Sequence, residues 1–300
     1  MNRADLHTHT TASDGLHRPA ENVRMAAEAG LAAIGITDHD TVAGLEEARE
    51  AAKAYGIEVV PGVEISTARD GQDIHILGFY ADDRDPVFLE RLASQRRVRD
   101  SRNELIVAKL NELGVSLTWE AVLDAAGRDR GPDETVGRPH IAEALHRMGA
   151  VESVQEAFDR YLAEGRPAYV LPPRIAPADA IAWIHEAGGA AVVAHPGLYG
   201  ADAAVEALLR DGGADGVEAY HSDHTAEDEE RYAAMARRFG AVATGGSDFH
   251  GARKGRVYHG PIGWRTAGAA VVTELKSRAS HHRAKATGAA SRDDGGTASD

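Results

Sequence analysis

Short apolar runs that end in histidine and acid recur along this chain, and no other feature restricts its fold so tightly. ADLHTHT puts His7 and His9 at the end of the first run, and LAAIGITDHD puts Asp38, His39 and Asp40 at the end of the second. IEVVPGVEIST carries Glu64 near its end, and DIHILGFY carries His75. Further on, GAAVVAHP reaches His195, DGVEAYH ends in Glu218 and His221, and FGAVATGGSDFH ends in Asp248 and His250. Such runs read as buried strands, and amphipathic helical stretches separate most of them. PAENVRMAAEAG reads as a helix stopping at Gly30. TVAGLEEAREAAKAYG reads as another, with a candidate N-cap at Asp40 or Thr41 and a stop at Gly56. The third and fourth runs are expected to pair through the polar ARDGQ turn. Repeating β and α units predict an α/β fold with a largely parallel sheet. A chain of 300 residues is long for one core but suits a single barrel.

In α/β barrels the strand C-termini converge on one face, where active sites are built. Side chains alternate along a strand, so His7 and His9 point the same way, as do Asp38 with Asp40 and Asp248 with His250. Any single histidine beside a strand is more often a packed structural residue than a ligand. So many ionisable groups on apolar runs are costly to bury without a cation, and together they favour metal binding. They exceed what one ion needs, so two or three ions are expected, with Glu64 suited to bridging two of them. The chain has no cysteine, so any metal is held by His, Asp and Glu. With 47 Asp plus Glu against 33 Lys plus Arg, broad binding of duplex nucleic acid is disfavoured. A small phosphorylated ligand held by metals and local cations remains compatible with that balance. No apolar run has membrane-spanning length and the N-terminus lacks a signal-peptide pattern, so a cytoplasmic location is expected.

The middle of the chain differs. Residues 85–165 are mostly helical and charged, as in FLERLASQRRVRDSRNELIVAKLNELG and HIAEALHRMG. They read as a helical insertion, a lid or substrate-recognition element, between barrel parts 1–84 and 166–277. The alternative is that these helices pad the barrel exterior. From Arg278 the sequence RASHHRAKATGAASRDDGGTASD is small, polar and unpatterned, so residues 278–300 are expected to be a disordered tail. His281 and His282 there are expected to be solvated.

The motifs DLHTHTTASDG, GITDHDT, PGVEIS, the histidine of HILGF, AHPG and GSDFH resemble, in order, those of the PHP (polymerase and histidinol phosphatase) family. The resemblance implies a distorted (β/α)7 barrel with its metal cluster at the strand C-termini. Carried over, it places one ion on His7, His9, Glu64 and Asp248, and a second on Glu64, His75 and His195. A third would take Asp14, His39 and His250. In the histidinol-phosphatase branch the position of Asp14 is commonly a histidine, so this chain looks less like that branch. Oxygen and nitrogen ligands suit Mn²⁺, Fe²⁺ or Zn²⁺, with manganese favoured. The chain is most similar to a subgroup whose ASDG, ITDHDT and GRPH-type motifs accompany a helical insertion. That likeness implies a phosphatase releasing the 3′-phosphate of nucleoside 3′,5′-bisphosphates, with 5′→3′ trimming of short RNA as a further activity.

On that reading a metal-bound hydroxide attacks phosphorus, and Arg138 of the GRPH stretch grips phosphate through its planar fork. Arg138 also reads as a helix-edge surface arginine. His140 is expected to assist it or to cap its helix. His221 is a candidate proton donor or phosphate ligand, with support of a ligand as its other reading. Asp40 is a candidate to orient a ligand histidine or a metal-bound water. His224, Lys254 and Arg256 are weaker phosphate-binding candidates, while His17, His146 and His185 read as surface or packing residues. The competing functions are a histidinol-phosphate or other small-molecule phosphatase, a non-catalytic domain of the kind attached to DNA polymerases, and an amidohydrolase. The last shares the HxH strand but commonly uses a lysine bridge.

Overall fold

The structure is a computed structural model that describes residues 2–127, 131, 133–171, 173–253, 256–257 and 259–293. Its main strands are β1 (Arg3–Asp5), β2 (Ala33–Ile36), β3 (Glu58–Arg69), β4 (Gln72–Phe79), β5 (Ala190–Val193), β6 (Gly216–His221) and β7 (Val242–Gly246), adjacent in chain order. Their apolar runs are buried on both faces, as an enclosed sheet requires. The ring closes where β7 meets β1: Leu6 N–H donates to Gly245 O at 3.1 Å and Asp248 N–H to His7 O at 2.8 Å. A short hairpin of β8 (Ala252–Arg253) and β9 (Arg256–Val257) follows, and β10 (Ala267–Gly268) adds antiparallel to β1. The main sheet is thus an eight-stranded, nearly closed barrel.

One strand breaks the β/α alternation. β3 turns directly into β4 through Asp70 and Gly71, both in the left-handed region at φ 53° and 82°, and β4 runs antiparallel to both its neighbours. This reversal decides where two site residues lie. Glu64 sits in the middle of β3 rather than at its end, because β3 continues to Arg69. His75 lies in the first half of β4, yet it pairs across from Ser66 and so arrives at the same rim as the C-termini of the parallel strands.

Helices α1 (Pro19–Glu28) and α2 (Leu45–Tyr55) flank the first strands. The expected N-cap of α2 at Asp40 or Thr41 is corrected: the helix starts at Leu45 behind Gly44. Asp40 is held at φ 54°, and the Thr41 hydroxyl donates to Asp133 O at 2.6 Å, so both belong to the rim.

Between β4 and β5 come α3 (Pro86–Glu112), α4 (Trp119–Ala126), α5 (Arg138–Arg147) and α6 (Val154–Ala157). Asp85 caps α3, accepting from Val87 N–H at 2.8 Å. The first turns of α3 bury Phe88 and Leu92 in the barrel core. Its last turns bury Ile106 and Leu110 in a second core with Leu117, Val122, Ile141, Leu145 and Leu162. One helix about 40 Å long therefore starts at the expected boundary at residue 85 and packs into both the barrel core and the core of the insertion.

The barrel is completed by α7 (Pro177–Glu186), α8 (Asp202–Arg210), α9 (Ala226–Phe239) and α10 (Ala270–Asp293). The expectation of a disordered tail from Arg278 is corrected, since α10 continues to Asp293. Val272, Leu275 and Ala279 recur at helical spacing and pack into the barrel floor with Leu77, Phe79 and Val192. Arg278 donates to Gly240 O at 2.6 Å, Arg283 donates to Tyr80 O, and His282 pairs with Asp215 at 3.0 Å. The segment looks unpatterned because it docks through polar side chains. Residues 294–300 lie outside the described part. Among the described residues no helix is long and apolar enough to cross a membrane.

Candidate metal centre and active site

The rim is shaped by residues held where side chains rarely go. Asp40, His195 and Asp248 have φ of 54°, 25° and 52°. Such conformations cost on the order of 1–3 kcal/mol each and persist only where surrounding contacts enforce them. Gly246 precedes Ser247 and Asp248 because a Cβ there would lie 2.3 Å from the Cβ of His7. Asp38 holds the loop that carries His9 and Asp14. Its carboxylate accepts from Thr10 N–H at 2.7 Å, Thr10 Oγ1 at 2.8 Å and Ser13 Oγ at 2.6 Å.

The structure brings all nine expected ligands to one rim. His7 Nε2 and His9 Nε2 are 3.1 Å apart. Asp248 Oδ1 is 3.3 and 3.1 Å from them, and Glu64 Oε2 is 3.5 and 3.2 Å away. Donors at roughly 2.0–2.2 Å from one ion stand about 3.3–3.6 Å apart, so His7, His9 and Glu64 are spaced for a single cation, with Asp248 Oδ1 beside both histidines. The other Glu64 oxygen, Oε1, faces His75 Nδ1 at 2.7 Å and His195 Nε2 at 2.9 Å. Glu64 is thus placed to bridge two ions. The third set is wider: Asp14 Oδ1 is 3.3 Å from His250 Nε2, and Asp14 Oδ2 is 3.8 Å from His39 Nε2. His39 Nδ1 also lies 3.0 Å from Glu64 Oε2.

Two further observations fit these residues to cations. Asp14 Oδ1, His39 Nδ1 and Asp248 Oδ1 are buried beside polar neighbours that are not aligned for a hydrogen bond, an expensive arrangement that an ion would relieve. Several candidate ligand histidines also have a partner at Nδ1 able to accept from the ring, an arrangement that would leave the Nε2 lone pair for the cluster. For His7 it is Glu218 Oε1 at 3.1 Å, for His195 Tyr199 Oη at 3.0 Å, and for His250 the Asp248 carbonyl at 2.9 Å. Electrostatics agree. Burial works to raise the Glu64 carboxyl, but His39 and His75 hold it well below the usual range. Burial would lower His9, yet Asp248 and Glu64 lift it to about 10. The site demands positive charge, which divalent ions supply without protonating the ligands.

A cavity of about 940 Å³ opens over this cluster, between the barrel rim and the insertion. Its lining also carries Arg99, Arg102, Arg138, Arg147 and Arg174. Arg138 is the first residue of α5, and its guanidinium lies 5.6 Å from the Tyr169 ring centre. Arg99 forks onto Asp40 Oδ2 at 2.7 and 3.2 Å, and Arg174 pairs with Asp73 at 2.9 Å. Arg102 is buried and bonds the Asn103 side chain at 2.8 Å. Burial, followed by the like charges of Arg99, Arg138 and Arg174, depresses its pKa well below the arginine range. Of this group only Arg138 was expected. The missed signal is RRVRDSR, where Arg96, Arg99 and Arg102 recur three apart along one side of α3.

Other expectations are redistributed. Asp40 supports Arg99 and accepts from Ser66 N–H at 2.9 Å, rather than orienting a ligand histidine. His221 is fully buried: Nε2 lies 3.3 Å from Asp248 Oδ2 and Nδ1 accepts from Asp223 N–H at 3.1 Å. It therefore packs behind Asp248 and does not line the cavity. His140 lines the cavity and also caps α5, accepting from Gly137 N–H at 3.0 Å. His224 donates to Ala219 O at 2.9 Å and accepts from Gly197 N–H at 3.0 Å, so it packs rather than binds phosphate. Lys254 lies outside the described residues, and Arg256 falls in β9. His17 stacks on Phe249, His146 bonds Val151 O at 3.3 Å, and His185 pairs with Asp215 at 2.9 Å, all away from the cluster.

His259 was not anticipated, since no strand pattern precedes VYHG. It lines the cavity, with Nδ1 2.5 Å from Asp223 Oδ2 and Nε2 3.6 Å from Asp248 Oδ2. Burial would lower it, but Asp248 and Asp223 raise it to about 9.

Comparison with known proteins agrees with this geometry. The PHP domain family matches residues 5–166. The chain is 38% identical over 250 residues to a 5′-3′ exoribonuclease of Haemophilus influenzae, covering 82% of this chain and 89% of that one. It is 36% identical over 259 residues to a 3′,5′-nucleoside bisphosphate phosphatase of Chromobacterium violaceum, covering 85% and 90%. A solved structure from Bifidobacterium adolescentis, assigned as a metal-dependent phosphoesterase, superposes with a TM-score of 0.83 at 33% identity, covering 92% and 96%. Fold and site together define a metal-dependent phosphoric ester hydrolase. The chain belongs to the PHP domain family.

Proposed function

We propose that this enzyme removes the 3′-phosphate of nucleoside 3′,5′-bisphosphates, giving nucleoside 5′-monophosphate and phosphate, and trims short RNA in the 5′→3′ direction at the same site. The observation that carries this reading is one cavity lined both by the candidate ligand cluster and by five arginines, more cationic groups than one phosphate needs. A substrate with two phosphates on one ribose answers both. The two relatives' activities support the pairing of bisphosphate and RNA end.

His7, His9, Glu64 and Asp248 would hold one ion, Glu64, His75 and His195 a second, and Asp14, His39 and His250 a third, with manganese the favoured metal. Bound divalent ions supply an activated water near neutral pH and neutralise charge on the reacting phosphate. The chain does the rest. Arg138 and Arg102 hold the second phosphate, Arg138 with its guanidinium over the Tyr169 ring. Glu218 and His221 fix the aim of His7 and Asp248. His259 Nε2 donates the proton that the leaving 3′-oxygen needs, with Asp223 steadying the ring. Asp14 in place of histidine supports a nucleotide over histidinol phosphate. A cytoplasmic location fits such a substrate.

The test is phosphate release from adenosine 3′,5′-bisphosphate with Mn²⁺, beside adenosine 3′-monophosphate, histidinol phosphate and 5′-phosphorylated short RNA. The bisphosphate is expected to give the highest kcat/KM among the small molecules. Preference for a substrate with one phosphate would overturn the bisphosphate reading.

A further inference from the structure

The ligands facing Glu64 Oε1 share one support outside the cluster. Tyr199 Oη lies 3.0 Å from His195 Nδ1 and accepts from the backbone N–H of His75 at 2.8 Å. Its ring meets that of His195 edge-on, 5.5 Å between centres. The residue is itself anchored at both backbone groups. Its N–H donates to Pro196 O at 3.1 Å, and its carbonyl accepts from the Gln72 side chain at the start of β4. One tyrosine thereby joins the turn after β5, which carries His195, to the reversed strand that carries His75.

We propose that Tyr199 is the positioning residue for the ion held by Glu64, His75 and His195. A neutral imidazole binds a cation through Nε2 only when its proton is on Nδ1, and an acceptor at Nδ1 selects that tautomer. With a cation on Nε2, the Tyr199 oxygen is the group placed to accept from His195 Nδ1–H, and it also accepts from the backbone N–H of the residue whose ring is the other histidine of the set. His7 has a carboxylate, Glu218, in the equivalent place. A phenol oxygen is a weaker acceptor than a carboxylate and lends its imidazole less basicity. The ion on His75 and His195 is therefore the more weakly held of the two that share Glu64. Such grading leaves one firmly seated ion and one that exchanges. The inference rests on the ligand sets and not on the choice of substrate.

The experiment measures metal binding without turnover. Metal per chain is determined at graded free Mn²⁺ for the parent and for Tyr199→Phe, together with melting temperatures of the metal-free and loaded proteins. Loss of the acceptor is expected to weaken one binding step by about 10–100-fold, the usual effect of removing such a partner, and to leave the tightest step unchanged. Tyr199→Phe also leaves the His75 N–H without its acceptor, so the metal-free variant is expected to melt somewhat lower, with a further difference appearing on loading. An unchanged isotherm would overturn the proposal, as would equal loss of every step, which marks a packing role. Tyr199→Gln restores an acceptor and is expected to bind the weakened ion better than Tyr199→Leu. The reverse order refutes the assignment even if Tyr199→Phe fails to fold.

Discussion

His221 and His259 both flank Asp248, yet only His259 reaches the cavity. That difference separates their expected phenotypes. His259→Gln should lower kcat on adenosine 3′,5′-bisphosphate by about 10²–10⁴-fold, the usual worth of a positioned proton donor. With p-nitrophenyl phosphate, whose leaving group needs no proton, the loss should stay near or below about tenfold. Equal losses on both esters would remove His259 from proton transfer. His9→Ala should abolish turnover while the circular dichroism spectrum and gel-filtration volume match the parent, and a folded, fully active variant would sink the metal mechanism. Arg102→Ala should act chiefly on KM for the bisphosphate, raising it roughly tenfold or more, because an interaction present in ground and transition states alike sets binding rather than rate. A drop in kcat at constant KM would place Arg102 at the reacting phosphate instead.

At the scale of elements, α10 is held by a polar clasp. His185 Nε2 and His282 Nε2 both reach the Asp215 carboxylate, and their rings stack with centres 3.7 Å apart. Burial works to raise Asp215, but bonds from His185, the Ala191 N–H and His282 hold it below its ordinary value. Burial lowers His282, outweighing its bond to Asp215. Both shifts make the unfolded helix the better proton acceptor. The docked state is therefore fully favoured above pH 6.5 and loses stability as pH falls, first through His282 and then, below 3.8, through Asp215. Amide exchange in α10 should quicken between pH 7 and 4 relative to the barrel strands. His282→Gln should flatten the upper part of that rise, and a pH-independent α10 would contradict the clasp. The insertion shows the opposite economy, since α3 presents Arg99 and Arg102 to the cavity while anchoring in both cores.

For the whole molecule the ligand cluster is also a stability problem. Asp14, Glu64, Glu218 and Asp248 are buried together on one rim. Carboxylates so crowded need cations to offset their repulsion and lost hydration. A ligand present at about 100 times its Kd stabilises the native state by roughly 2.7 kcal/mol. Exhaustive chelation should accordingly lower the melting temperature on the order of 5–10 °C, reversed by Mn²⁺ but not by Na⁺. An identical melting curve with and without chelator would argue against a multinuclear centre.

The order of buried runs, the ligand residues on them and the helical middle segment are all written locally. Apolar periodicity marks strands and helices, and ionisable groups on buried runs stand out against it. The nine candidate ligands that meet at one rim were therefore legible, as was an α/β barrel. Tertiary structure alone decided the rest, because it turns on contacts distant in sequence. The reversal of β4 brings His75 to the common rim, and the packing of α3 turns a charged stretch into an arginine-rich lining. Closure of β7 on β1 sets Asp248 against His7 and His9, and leaves His221 sealed behind it and His259 in front. The docking of α10 makes a helix of a segment whose own composition argues for none, since its stability comes from the floor it covers. Composition and spacing specify which groups a chain carries, whereas only the closed barrel specifies which of them share a cation and which face the substrate.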